Sequence, residues 1–301
     1  MHTPITHFRK NWKHIAAQHA YDFHINHGLH YGSSVFEGIR FYETADWPKI
    51  FRATDHYERL HYSARTIWLD LTYSIDQLKN ATHDLIKISW MISWYIRPII
   101  YSQAPHIALW MPERSSDIVI SLRPMWKYMD SETLGVKIVH TKRIDPPTTN
   151  AHAKIGGHYV NSLLAIREIQ WTTYDEALLC DTNWYIAEWP WENIFFIKDN
   201  TLYTPQITHI LPGITRKTII ELAKNELHMD CKEINIHPSQ LSTFEEAFFV
   251  GTAAEILPIH AITDASWSHT SHYTPTISNI LQKLYMDTVQ GRLKRYEHWL
   301  E

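Results

Sequence analysis

The sequence predicts a two-domain chain of mixed architecture, a small α+β domain followed by a larger α/β domain. Three observations carry that expectation. The 301 residues are 45% hydrophobic and 20% charged, an ordinary globular composition with ample material for a buried core. Strand-like and helix-like apolar patterns are mixed along the whole length. The stretch from Arg123 to Leu134 reads as a connection, so one domain is expected over 1–122, the linker over 123–134 and a second domain over 135–301.

The elements follow in order. Ile25 to Tyr42 carries turn, loop and strand signals around Gly28, Gly32 and Gly38. A helix is expected over 55–66 with Asp55 or Thr54 as N-cap, and a second over 74–88 with Ile75, Leu78, Leu85 and Ile86 as its apolar positions. Trp94 to Tyr101 alternates as a strand, placing Tyr95, Arg97, Ile99 and Tyr101 on one face. Asp117 to Leu122 reads as a short buried strand, and Val136 to His140 as another. The loop through Asp145-Pro146-Pro147 leads to Lys154, and a helix follows over 159–170. Strands are expected at 176–181, 184–188, 193–198, 201–204 and 245–250, with helices at 215–227 and 275–297. In the last helix Ile277, Ile280, Leu281, Leu284 and Tyr285 keep the helical period. No repeat or low-complexity segment interrupts the series.

Composition excludes several function classes. The net charge of −4, without a basic block, argues against a nucleic-acid surface. No run of 18 apolar residues suits a membrane span, and Met1 to Lys13 lacks a secretory apolar region, so a cytoplasmic protein is expected. Cys180 and Cys231 have neither disulfide nor metal spacing. The 21 histidines include no His-Glu-x-x-His pattern, and no metal site is expected.

The segment with chemical character is Asn150-Ala151-His152-Ala153-Lys154-Ile155-Gly156-Gly157-His158-Tyr159. A lysine in a short loop, followed by two glycines and a helix start, can serve as a Schiff-base amine when burial lowers its pKa. Leu211-Pro212-Gly213-Ile214-Thr215-Arg216 opens a helix whose unpaired N–H groups and dipole favour a dianion.

Four further segments accompany these: His30-Tyr31-Gly32-Ser33-Ser34-Val35-Phe36-Glu37-Gly38-Ile39-Arg40, Glu58-Arg59-Leu60, Tyr95-Ile96-Arg97-Pro98 and Gly251-Thr252-Ala253-Ala254-Glu255. Taken together, and in their order along the chain, they resemble the branched-chain amino-acid aminotransferases, pyridoxal 5′-phosphate enzymes of fold type IV. The resemblance runs from about Asn11 to the C-terminal helix. It implies a D-amino-acid-aminotransferase-like fold with a large pseudo-barrel domain, and amino transfer between leucine, isoleucine or valine and 2-oxoglutarate. Within the same fold a D-amino-acid aminotransferase, an aminodeoxychorismate lyase or a non-catalytic relative are the alternatives.

The resemblance also implies roles. Lys154 would join the cofactor aldehyde and move protons, Glu188 would face the pyridine nitrogen, and Tyr159 would bond the phenolic oxygen. Arg59, Ile214, Thr215, Gly251 and Thr252 would hold the phosphate. Tyr31, Phe36, Tyr95, Arg97 and Tyr128 would form the substrate pocket, with Gly38 leaving room and Thr252, Ala253 and Ala254 offering N–H groups to the α-carboxylate. Partners are then small amino and 2-oxo acids. A homodimer or higher oligomer is implied, with the loop from Ser102 to Ser116 as a candidate contact. Pro124-Met125-Trp126 departs from the family's Pro-Trp-Gly, so the pocket roof is expected to differ.

One compositional feature stands apart. Glycine is 9 of 301, about 3% against a usual roughly 7%, while tryptophan reaches 13. Asp181-Thr182-Asn183-Trp184-Tyr185 resembles a hairpin turn that would read Asn-Gly. Glu188-Trp189-Pro190-Trp191-Glu192-Asn193 resembles the family's Glu-Gly-x-Gly-Glu-Asn. Trp12, Trp47, Trp90, Trp94, Trp126, Trp171 and Trp267 also sit at glycine-like positions, whereas Trp299 reads as a true tryptophan. The pattern predicts UGA codons that the source organism reads as glycine.

Overall fold

The computed structural model describes residues 8–10, 13–15, 27–102, 108–109, 116–123, 131–264 and 269–301. The expectations placed on Tyr128, on Pro124-Met125-Trp126, on Trp12 and Trp267 and on most of the Ser102–Ser116 loop lie outside these residues.

A short antiparallel pair, β1 (Phe8–Lys10) and β2 (Lys13–Ile15), precedes helix α1 (His27–Tyr31). A five-stranded sheet then forms from β3 (Ser34–Phe36), β4 (Ile39–Tyr42), β5 (Lys49–Ile50), β6 (Trp94–Ser102) and β7 (Ser116–Arg123). Strand β6 pairs with β3, β4 and β7, all antiparallel. Helices α2 (Ala53–Thr66) and α3 (Ile75–Ser89) share one core with the sheet, in which Ile39, Phe41, Tyr57, Leu60, Ile96 and Ile100 are fully buried. The alternation of β6 thus buries Ile96 and Ile100 and leaves Tyr95 and Arg97 on the other face.

Two helix starts differ from expectation. The N-cap of α2 is Arg52, at φ 50° and ψ 43°, with no side-chain cap bond, so Thr54 and Asp55 fall inside the first turn. Tertiary contacts hold Arg52 there: its guanidinium reaches Asp55 and Glu221 at 3.2 Å each and lies 4.0 Å from the Trp299 ring. Ser74 caps α3 through a reciprocal box with Gln77, one residue before the helix proper.

The second half of the chain builds an eight-stranded sheet from β8 (Leu134–Ile138), β9 (Glu176–Leu178), β10 (Asn193–Lys198), β11 (Thr201–Thr204), β12 (Asp230–Glu233), β13 (Glu246–Gly251), β14 (Glu255–Asp264) and β15 (His269–His272). Its order is β12-β11-β10-β13-β14-β8-β9, with β15 also on β14. Helix α4 (Tyr159–Arg167) packs near β9, while α5 (Ile214–Glu226) and α6 (Ile277–Val289) pack by β13 and β14 through Ile219, Leu222, Leu281 and Tyr285. The expected strand 184–188 is absent: Cys180 and Ile186 form a single bridge, because the chain turns at 181–185 and then bends to aim Glu188 inward. The helix expected to reach 297 ends at Val289, since Gly291 adopts φ +73° and a short 3₁₀ turn, Lys294–Trp299, follows.

Candidate active site

The lysine loop is pinned against the edge of the five-stranded sheet. Gly157 N–H donates to Gly32 C=O at 2.9 Å, and a Cβ on Gly32, which has φ +66°, would come 2.5 Å from Gly157 Cα. Only glycine permits that approach. Phe36 N–H donates to Lys154 C=O at 3.2 Å, and Lys154 N–H donates to Ser63 Oγ on α2 at 2.9 Å. Held from both sides, Lys154 extends its Nζ to within 2.7 Å of Tyr159 Oη at the start of α4. The Phe36 ring lies 4.9 Å from the Tyr159 ring and 5.1 Å from Nζ.

Lys154 opens into a cavity of about 260 Å³ lined from both halves of the chain. On the large-sheet side Glu188 is buried, with one oxygen 2.5 Å from Arg143 Nε. Its other oxygen accepts from Asn193 Nδ2 and Leu211 N–H at 3.2 Å each. Burial pushes the Glu188 carboxyl above the usual range, opposed chiefly by the Arg143 cation. Glu192, also lining the cavity, is driven well above that range by burial and by the nearby Glu176 carboxyl.

Just past Leu211, which bonds Glu188, α5 begins at the cavity wall with Gly213, Ile214 and Thr215, and no side chain caps it. Its first N–H groups therefore lack intrahelical acceptors. Arg59 faces the same wall. Its Nε and Nη2 donate to Glu37 at 2.7 and 2.9 Å, and its Nη1 donates to Pro212 C=O at 3.1 Å. Glu37 also contacts His56 Nδ1 at 2.8 Å. Burial alone would raise the Glu37 carboxyl; the Arg59 guanidinium and His56 override it and hold it far below the ordinary range.

Phe36, Tyr95 and Arg97 make the small-sheet wall, with Arg97 Nη2 donating to Tyr95 Oη at 2.8 Å and its guanidinium 4.6 Å from the Phe36 ring. A Cβ on Gly38 would fall 2.0 Å from Tyr95 Oη, so the room Gly38 leaves is taken by that hydroxyl. Gly251, Thr252 and Ala253 close the cavity beyond β13.

The family model for amino-transferase class IV matches residues 34–262. The chain belongs to that family. It is 36% identical over 281 residues to a probable branched-chain-amino-acid aminotransferase of Aquifex aeolicus, covering 92% of this chain and 90% of the relative. It is similar to the crystal structure of the Escherichia coli branched-chain amino acid aminotransferase, with a TM-score of 0.87, 34% identity and 97% of each chain covered. A third relative, the branched-chain amino acid aminotransferase from Thermobaculum terrenum in its PLP form, gives a TM-score of 0.84 at 30% identity, covering 96% of this chain and 95% of that one.

In this class IV amino-transferase, thirteen of the residues expected at the site line one cavity: Phe36, Gly38, Arg59, Tyr95, Arg97, Lys154, Tyr159, Glu188, Ile214, Thr215, Gly251, Thr252 and Ala253. Two expected residues do not. Tyr31 is exposed at the end of α1, where it packs on His27 and His30, and Ala254 is buried in the large-sheet core behind the turn. Arg143, Ser162 and Asn193 line the cavity without having been singled out. Asn193 and Glu192 lay within the Glu188 motif; Arg143 had no local signal, because only the fold brings it to Glu188.

Proposed function

We propose that the chain is a branched-chain amino-acid aminotransferase, moving the amino group of L-leucine, L-isoleucine or L-valine to 2-oxoglutarate with pyridoxal 5′-phosphate as cofactor. The observation that carries this reading is the Lys154 amine bonded to Tyr159 Oη in one cavity with a buried carboxylate and an uncapped helix start. That donor set fits the cofactor: an amine for its aldehyde, a phenol for its ring oxygen, Glu188 for its ring nitrogen and the α5 N-terminus for its phosphate. When bound, the cofactor supplies an electron sink for charge developing at the substrate Cα.

The chain's own residues do the rest. The Lys154 amine takes and returns the proton at the substrate Cα. Tyr159 orients that amine, and Glu188 holds a proton at the ring nitrogen. Arg59, the N–H groups of Ile214 and Thr215, and Gly251-Thr252 seat the phosphate; Arg59 remains available because Glu37 fixes its far edge. Phe36 and Tyr95 offer an apolar wall to a branched side chain, and Arg97 beside them meets the side-chain carboxylate of glutamate. The N–H groups of Thr252 and Ala253 receive the α-carboxylate. In the same reading the chain divides into domains over 1–122 and 135–301, works in the cytoplasm, and forms at least a homodimer.

Purified protein should show a visible absorption band that borohydride removes, with the reduced adduct on Lys154. It should transfer nitrogen from L-leucine to 2-oxoglutarate far faster than from D-alanine. An adduct on another lysine would refute the site, and a preference for D-alanine would refute the substrate.

A further inference from the structure

Left-handed backbone is where glycine is cheapest and an indole has least reason to be. Among the described residues nine non-glycine positions have positive φ, and four of them are tryptophan: Trp68 (58°), Trp90 (57°), Trp171 (71°) and Trp184 (68°). Only a few per cent of non-glycine residues adopt such angles, and those are enriched in asparagine, aspartate and histidine. Nine tryptophans are described (47, 68, 90, 94, 171, 184, 189, 191 and 299), so nearly half of them sit there.

The local hydrogen bonds say what each position is for. Helix α2 ends with Trp68 N–H donating to Arg65 C=O and Leu69 N–H donating to Ala64 C=O. That paired pattern makes residue 68 the left-handed terminator that glycine usually fills. Trp90 terminates α3, its N–H donating to Lys87 C=O. Trp171 precedes Thr172, whose N–H closes a turn on Ile169 C=O. Trp184 completes the 181–185 turn, its N–H donating to Asp181 C=O.

Three of these indoles contribute little burial in return, while the fourth, Trp184, is 42% exposed. Trp171 is 93% exposed, Trp90 89% and Trp68 68%. Trp184 covers Lys142, whose ammonium sits 2.9 Å from the ring centroid and has no hydrogen-bond acceptor among the described residues. Trp299 is the contrast: it is buried, stacks on Tyr296 at 4.5 Å and receives the Arg52 guanidinium. Trp189 and Trp191 have ordinary φ, and Trp189 packs 4.9 Å from Phe249 and donates to Glu176. Backbone conformation therefore selects 68, 90, 171 and 184, including one position, 68, that the sequence pattern passed over.

We propose that residues 68, 90, 171 and 184 are glycine in the protein as its own cell makes it, encoded by UGA. That codon is one base from the tryptophan codon UGG and one base from the glycine codon GGA. The inference rests on backbone geometry and is independent of the reaction assigned above.

Mass spectrometry of peptides from the protein isolated from its own cells tests it directly. Glycine is expected at all four positions, and tryptophan there would overturn the proposal. A second measurement compares two recombinant chains, one as written and one carrying W68G, W90G, W171G and W184G. Each substitution should raise the folded-to-unfolded ratio by about fivefold to thirtyfold. Trp299→Gly, made as a control, should lower it. A quadruple variant that melts below the chain as written would count against the proposal.

Discussion

Arg143 and Glu188 form a buried ion pair, and breaking a buried pair costs more than the pair is worth. Arg143→Met should lower unfolding free energy by about 3–5 kcal/mol, because it leaves a buried carboxylate without its ion-pair partner. Glu188→Gln added to it should recover part of that loss, since the amide needs no counter-charge; a urea-denaturation double-mutant cycle reads the coupling. Simple additivity would mean that the two side chains do not sense each other. Lys154→Ala bears on chemistry instead. It removes the group placed to move the Cα proton, and steady-state transamination should fall by at least about a hundredfold while the far-UV circular dichroism stays unchanged. Most of this site was legible in the sequence because its residues travel in short runs: 36–38, 154–159 and 251–253 each bring their neighbours along. Arg143 was not, as an arginine in a proline-rich loop is unremarkable until β8 and β9 bring it beside Glu188.

At the scale of elements, β9 carries a buried charge problem. Glu176 on this strand is raised to about 8, chiefly by burial and against the hydrogen bond from Trp189. In the unfolded chain the same carboxyl ionises near 4.5. Its stabilising contribution is therefore complete below pH 4.5 and is lost as pH rises toward 8, at about 1.4 kcal/mol per unit at most. Glu188 and Glu192 are raised as well and add to the same trend. Unfolding free energy should decline between pH 5 and 8, and Glu176→Gln should flatten part of that slope; an unchanged slope would mean that Glu176 is ionised in the fold. The same strands show why some elements escaped the sequence. Strand β14 is ten residues long, contains Pro258, and is buried on both faces along Ile256–Ile259, so it offers no alternation to read. Helix α3 was legible because Ile75, Leu78 and Ile86 keep a helical period, while the capping box at Ser74 and the Asp199-Asn200 turn, at φ 49° and 53°, appear only in the structure.

For the whole molecule, the cavity ties two sheets that otherwise have separate cores. Phe36, Arg59, Tyr95 and Arg97 come from the first half of the chain, and Lys154, Glu188, Thr215 and Thr252 from the second. A ligand seated there contacts the folded chain only when both halves are in place, so its binding free energy becomes folding free energy. With pyridoxal 5′-phosphate at a hundred times its dissociation constant, that is about 2.7 kcal/mol. At roughly 2–4 °C per kcal/mol for a chain of this size, removing the cofactor should lower the melting temperature by about 5–10 °C. Lys154→Ala keeps the phosphate seat at α5 but loses the covalent join, so its melting temperature should rise less on adding the cofactor than that of the unmutated chain. Differential scanning fluorimetry with and without the cofactor makes both comparisons. Equal shifts in the two proteins would mean that the phosphate seat supplies all of the binding energy, and no shift in either would mean that the cavity does not take this cofactor.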